Sequence, residues 1–273
     1  MRPSVQQRKF RRPVEAKSMT IGIGYLTNDA VVLGSDMELT GVARFKGHKH
    51  FIQYFDKNKG VAIAIYSGLE NDIRCVWEEF EERVKREAQR ALTVPEVRKF
   101  LAAALKEVLG NRKSHFQMLV AIAHPDHNPN FFGDPQPAFF RVHGSRITPA
   151  KDWEIIGAGD CELTRYLTQV MSRELEPRQA ALWMTHIIGL SNKLVPTVGQ
   201  GIRIISISGA GKFQVADGSP YAQKLDELDE VFAELWADLY EPYLSEEQLE
   251  GRIKSFVKDA MRIRKETVRI WQK

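Results

Sequence analysis

Secondary-structure signals in this chain come in blocks rather than singly. Alternating and continuous apolar runs predict strands at Thr20–Leu26, Ala30–Met37, Phe51–Phe55 and Gly60–Tyr66. Ser67-Gly68 breaks that series, and the period changes to a helical one. Ile73, Val76, Trp77, Phe80 and Val84 mark a helix over roughly 69–91, and a Thr93-Val-Pro-Glu96 capping box opens a second. Strands return at Phe116–Ala123, Ala138–His143, Arg146–Pro149 and Trp153–Ile156, followed by helices over roughly 160–174 and 177–193. A hairpin, Ile202–Ser208 with Phe213–Ala216, closes the set. Helix pairs segregated from antiparallel strands predict an α+β architecture with helices layered outside packed sheets. A doubly wound parallel fold needs helices alternating with single strands, and this chain lacks that order.

Beyond Pro220 the pattern is helical throughout. Leu225, Leu228, Val231, Phe232, Leu235, Trp236 and Leu239 form one stripe. Past Pro242, a Ser245-to-Gln248 box caps a last helix carrying Leu249, Ile253, Phe256, Val257 and Met261. Such stripes ordinarily pack on a core, and core packing is the expectation here, with contact to a neighbouring chain as the alternative. The domain organisation predicted is a basic leader at 1–19, an α+β domain at 20–217 and a helical extension at 218–273.

The 273 residues, 43% of them hydrophobic, hold ample material for a core, and no apolar run is long enough to span a bilayer. Net charge is +4, but residues 1–18 alone carry six basic residues against Glu15, so the remainder sums to −1. A basic nucleic-acid surface is therefore not expected. The two cysteines, Cys75 and Cys161, have neither metal-ligand spacing nor the number for a disulfide scaffold, which fits a reducing, cytoplasmic setting. The leader has three readings: a removable propeptide, a disordered tail, or an over-extended start with Met19 the true initiator.

The first hairpin carries the chemistry. Thr20 stands at the outer end of its first strand and Asp36 near the outer end of its second. A threonine hydroxyl is a poor nucleophile until a base takes its proton, and the residue's own α-amine can serve when threonine is the first residue of the mature chain. A nearby lysine ammonium lowers the pKa of that amine, and an aspartate holds the lysine. A three-residue turn places Thr20 and Asp36 directly opposite, whereas a two-residue turn shifts the pairing by one; the sequence is compatible with both.

From Thr20 to Ala216 the chain resembles a proteasome β-type subunit of the N-terminal-nucleophile hydrolases, in its bacterial proteasome-like branch. The resemblance rests on TIGIGYLTNDAVVLGSD at the start, GVAIAIYSG before the first helix, and PAFFRVHGSRI followed by WEIIGAG before the second helix pair. It implies a four-layer αββα sandwich and subunits assembled into homo-oligomeric rings. It also implies threonine-type cleavage of peptide bonds in unfolded-protein or peptide substrates, without cofactor, metal, nucleic acid or membrane. Carried over by position, Thr20 is the nucleophile and Asp36 the acid. Lys49 is the lysine, with Lys46 and His50 as alternatives. Thr40 falls on the substrate-binding segment, and Ala158 and Gly159 lie in the turn expected to bind the oxyanion. The chain departs from the family at Met19, where self-cleaved members have glycine. It departs again at Ala158, where they have serine, and at 195–201, which lacks their aspartate and serine. A catalytically inactive structural subunit of the same assembly is the rival expectation.

Other signals carry less. SGAGK at 208–212 lacks the spacing of a phosphate-binding loop, and GAG at 157–159 reads as a tight turn rather than a dinucleotide site. The histidines of HKH, residues 48–50, and of HPDH, residues 124–127, read as surface loop residues, not metal ligands.

Overall fold

A computed structural model describes residues 20–40, 44–46, 49–68, 70–87, 90–110, 116–127, 135–150, 152–170, 174–195 and 198–271. The leader, with its three readings, lies outside them. The first half of the domain runs β1 (Ile21–Leu26), β2 (Ala30–Asp36), β3 (Glu38–Thr40), β4 (Arg44–Lys46), β5 (His50–Phe55), β6 (Gly60–Ser67), α1 (Glu70–Arg86) and α2 (Val94–Leu109). It continues through β7 (Gln117–Ala123), β8 (Ala138–His143), β9 (Arg146–Pro149), β10 (Trp153–Gly157), α3 (Glu162–Val170) and α4 (Pro177–Leu194). The hairpin β11 (Ile202–Ser208) and β12 (Phe213–Asp217) follows, then the long helices α5 (Ser219–Leu239) and α6 (Glu246–Trp271).

Two five-stranded sheets form, one in the order β10-β1-β2-β11-β12 and the other β5-β6-β7-β8-β9, with β3-β4 as a separate two-stranded ribbon. Every pairing is antiparallel. The α+β class is thus what the strand and helix blocks predicted. Strands β2 and β6 are buried along their whole length, which explains the apolar runs Ala30–Leu33 and Val61–Tyr66: both faces are covered.

Three apolar clusters show what covers them. Trp77 and Phe80 of α1 and Leu101 and Leu105 of α2 pack on Ala62, Ala64, Met118 and Val120, one face of the second sheet. Met184, Ile187 and Ile188 of α4 pack on Ile21, Ile23, Val32 and Ile204 of the first. Between the sheets, Val31, Leu33 and Ile205 meet Ile63, Leu119 and Ala121. Burial of these side chains, at about 1.5–3 kcal/mol each, is the main force holding the layers.

Helices α5 and α6 depart from the expected core packing. Tyr221 and Ile263 are buried, but Phe232, Trp236, Leu239, Tyr240, Ile253, Val257 and Met261 are all exposed. The base of α5 is tied to α4 by Lys193–Asp226 at 2.7 Å. Helix α5 meets α6 through Lys224–Glu266 at 2.8 Å and the Phe232–Phe256 ring contact. Helix α6 starts at the Ser245 box: Ser245 N–H donates to Gln248 at 2.9 Å, and Gln248 N–H to Ser245 Oγ at 3.2 Å.

Candidate active site

The turn between β1 and β2 decides the register of the first hairpin. Thr27 N–H donates to the Ala30 carbonyl at 2.8 Å, and Thr27 Oγ1 accepts from Ala30 N–H at 2.9 Å, leaving Asn28-Asp29 as a two-residue loop. Leu26 then faces Val31, and Gly22 faces Ser35. Continuing that ladder sets Asp36 across from Ile21, one step away from Thr20. The direct Thr20–Asp36 pairing of a three-residue turn is therefore not formed. Ile21 N–H donates to Asp36 Oδ1 at 3.1 Å, within reach in that register.

Lys49 closes the gap. It directly precedes β5 of the other sheet, and its Nζ reaches across to lie 2.8 Å from Asp36 Oδ2 while donating a short hydrogen bond to Thr20 Oγ1. Thr20, Asp36 and Lys49 are 5%, 0% and 3% exposed, so this is a buried ion pair beside a buried hydroxyl. Such a pair persists only if its remaining valences are satisfied. Asp36 Oδ2 also receives Gly199 N–H at 2.9 Å, giving the carboxylate three donors in all. Burial nonetheless raises the Asp36 pKa above its ordinary value, with Lys49 and the two backbone N–H groups pulling the other way.

The second wall is the turn after β10. Gly159 N–H donates to the Thr20 carbonyl at 3.2 Å, anchoring the residue from behind. That bond occupies one of the two N–H groups expected to face an oxyanion. The Ala158 N–H has no hydrogen-bond partner among the described residues. Thr40 lies in β3, and its side chain is outside the described part of the structure.

Two contributors were not read from the sequence. Gly199 N–H comes from the 195–201 segment, which lacks the aspartate and serine sought there, and it is a backbone group that reaches Asp36. Gln117 opens β7, and its Oε1 accepts Gly157 N–H at 3.0 Å, fixing the start of the glycine turn. Its signal was available: Gln117 is the one polar residue of an otherwise apolar strand, QMLVAIA.

Gly157 itself is held at φ +86°, and a Cβ there would meet the Thr20 carbonyl oxygen at 2.2 Å and Ser67 Oγ at 2.7 Å. Gly157→Ala is expected to combine backbone strain of about 1–3 kcal/mol with displacement of Thr20. Thermal unfolding and the rate of Thr20 modification by an electrophile should both fall; an unchanged rate would show that the turn does not position Thr20.

His124 corrects another expectation. It is buried rather than on the surface, with Nε2 2.9 Å from Asp56 Oδ2 and Nδ1 accepting Asp126 N–H at 3.1 Å. The pair stands behind the Asp56–Lys59 turn, where Asp56, Lys57 and Asn58 all have positive φ. Among the described residues no group of three or more His, Cys, Asp or Glu side chains is placed to hold a metal.

The two-sheet α+β frame thus brings Thr20, Lys49 and Asp36 together in one buried chain. Neither a protein-family model nor a curated protein matches the sequence. Solved structures do. A mutant of Anbu from Hyphomicrobium sp. strain MC1 superposes with TM-score 0.68 at 12% identity, over 81% of this chain and 100% of that one. Anbu from Yersinia bercovieri, described as an ancestral beta-subunit, gives 0.67 at 12% identity, over 82% and 99%. The Anbu complex of Pseudomonas aeruginosa, solved as a helical assembly, gives 0.65 at 13% identity, over 82% and 97%.

These neighbours correct the resemblance to proteasome β-type subunits: the structures matched are Anbu proteins, a related but distinct branch. The reason is physical. The sequence reading rested on the order of strands and helices and on a few polar residues at one hairpin, and features of that kind point to a fold without separating its branches.

Proposed function

We propose that the protein is an N-terminal-nucleophile threonine hydrolase of amide bonds, with Thr20 exposed by loss of residues 1–19. The observation carrying this reading is the buried chain Thr20–Lys49–Asp36. In it a hydroxyl, an ammonium and a carboxylate meet where simple core packing would favour apolar groups. In the mature form the Thr20 amine takes the Oγ proton as Oγ adds to the carbonyl carbon. The C–N bond then breaks as the departing amine receives that proton, leaving an ester on Thr20 that water hydrolyses. Lys49 favours the neutral amine, Asp36 holds Lys49, and the free Ala158 N–H is the donor available to the oxyanion. Thr40 would line the substrate-binding segment.

The reading extends to the arrangement around the site. The three apolar clusters support a four-layer αββα sandwich over 20–217 with 218–273 as a helical extension. The helical assembly of the P. aeruginosa Anbu supports a homo-oligomer of ring or helical form. No helix of the described residues is long and apolar enough to cross a membrane, and Cys75 and Cys161 are both free, which supports a cytoplasmic setting.

An inactive structural subunit is the second reading. It draws on the 198–201 segment, where only a backbone N–H reaches Asp36. Covalent labelling separates the two: a threonine-directed electrophile such as an epoxyketone or β-lactone should add one equivalent to Thr20, and an unlabelled protein with a free Thr20 amine supports the inactive subunit.

Acid titration gives a further check. Protonating the Thr20 amine removes the base, and protonating Asp36 releases Lys49, so the rate falls as pH drops through each pKa. Because burial raises the Asp36 pKa from 3.8, the second protonation comes before ordinary carboxylates titrate. Below both pKa values the slope of log rate against pH should approach about two. A slope of one down to the onset of acid unfolding would exclude Asp36 from the relay.

A further inference from the structure

Alternation along three neighbouring strands sends Thr20 and two further polar residues to the same side of the first sheet. On β11, Ile205 and Ile207 face the second sheet while Ile202 and Ile204 face α4, so Arg203 belongs to the face between the sheets. On β2, Val31 and Leu33 face the second sheet, which places Ser35 on that side as well. On β1, Ile21, Ile23 and Tyr25 turn to α4, so Thr20, just ahead of the strand, falls on the side of the gap.

Ser35 and Arg203 face each other across the β2–β11 ladder, a position that sets Cβ atoms about 5 Å apart. Ser35 is 1% exposed, and its Oγ has no hydrogen-bond partner among the described residues. Arg203 is half-buried with Nε sealed from solvent, and Nε has none either. Buried polar atoms are normally paired, so two unpaired ones on facing residues mark a place where a third group is needed. The flanking residues do not supply it. On the β1 side Ser35 faces Gly22, which is walled in by Ile156 and Ile65. On the β12 side Arg203 faces Asp217, but Oδ1 of that carboxylate is taken by Ser219 N–H at 2.9 Å and Ser219 Oγ at 2.7 Å. Lys49 is matched by Asp36, whereas Arg203 makes no ion pair among the described residues.

The two unpaired atoms are complementary. Arg203 Nε–H can donate to Ser35 Oγ, which fixes the plane of the guanidinium and leaves its two outer nitrogens as a fork of the shape a carboxylate accepts from. The fork is also at the right range. Arg203 is two strands across from Thr20 and two residues further in, so their Cα atoms are roughly 12 Å apart. An extended peptide advances about 3.3–3.6 Å per residue, so a carboxylate held at Arg203 lies within about three residues of a carbonyl at Thr20 Oγ.

We propose that Arg203, positioned by Ser35, selects substrates that carry a carboxylate near the scissile amide, either an Asp or Glu side chain or the peptide's own C-terminus. The proposal rests on the reading of Thr20 as nucleophile and adds to it the chemical class of the substrate.

The test uses fluorogenic peptides in pairs that differ only in Glu against Gln, at each of the first few positions on either side of the scissile bond, with the C-terminus free or amidated. Wild type should favour one acidic position, or the free C-terminus, by about tenfold or more in kcat/KM. Arg203→Gln should bring that ratio to about one. Arg203→Lys keeps the charge without the fork and should retain a smaller preference. Ser35→Ala should lower the ratio by about threefold or more, through KM rather than kcat, which a loss of packing alone would not do. If Arg203→Gln does not fold by circular dichroism, the other two variants decide.

Equal rates within every wild-type pair, or a preference that survives Arg203→Gln, overturns the proposal. In that outcome the peptides are still cleaved and Thr20 still takes up the electrophile, so the nucleophile reading stands. A wild type that cleaves none of the peptides and leaves a free Thr20 unlabelled overturns both.

Discussion

Replacing Thr20 by alanine is expected to abolish labelling by a threonine-directed electrophile and to lower amide hydrolysis by on the order of a thousandfold or more, because the proposed ester forms on its hydroxyl. The fold should hardly notice. Thr20 Oγ accepts one hydrogen bond from Lys49, and the loss leaves that ammonium with Asp36. A change in unfolding free energy of about 1 kcal/mol, from urea titration, is the scale expected for one such bond. Thr20→Ser keeps the hydroxyl and the amine and should keep the labelling, though more slowly. If Thr20→Ala hydrolyses substrate as fast as wild type, the nucleophile lies elsewhere and the proposed function fails.

The second large effect is on stability as well as rate. Lys49→Met strands a carboxylate that is 0% exposed, and Asp36→Leu strands an ammonium that is 3% exposed. Breaking a buried pair from one side costs about 3–5 kcal/mol. Lys49→Met should fall at the lower end, since Ile21 and Gly199 N–H still reach the carboxylate. Asp36→Leu should fall at the upper end, because those two N–H groups lose their acceptor as well. The double variant, with both charges gone, should regain much of the stability lost in either single one, yet label no faster. Chemical denaturation of the four proteins measures this directly. Additive losses in the double variant would show that the two residues do not act as a pair.

Much of the frame was readable before any coordinates. The change from a period of two to a helical one at Ser67-Gly68, and the Thr93 and Ser245 boxes, located elements that differ from the observed ones by a few residues. The α+β class followed from their grouping. The hairpin was readable only up to its turn: whether Thr27 belonged to the loop or to the ladder turned on one hydrogen bond to Ala30, and that bond moved Asp36 from Thr20 to Ile21. Lys49 could be nominated only by carrying over the position of the lysine in the family the chain resembles, with Lys46 and His50 as alternatives. Its meeting with Asp36, by contrast, depends on two sheets stacking, which no local pattern encodes. The Gly199 N–H was invisible for a related reason: every residue carries that donor, and only the path of the chain aims it. Helices α5 and α6 failed differently. Their stripes matched those of core helices, and periodicity reports that a face is apolar without saying what covers it.

The central claim is that Thr20 carries a free amine in the working protein. Intact-mass spectrometry of the protein purified from cells, before and after the threonine-directed electrophile, tests it most directly. The account predicts a chain beginning at Thr20 that gains the mass of one electrophile. A chain that is hydrolytically active while still carrying any residue ahead of Thr20 would contradict it.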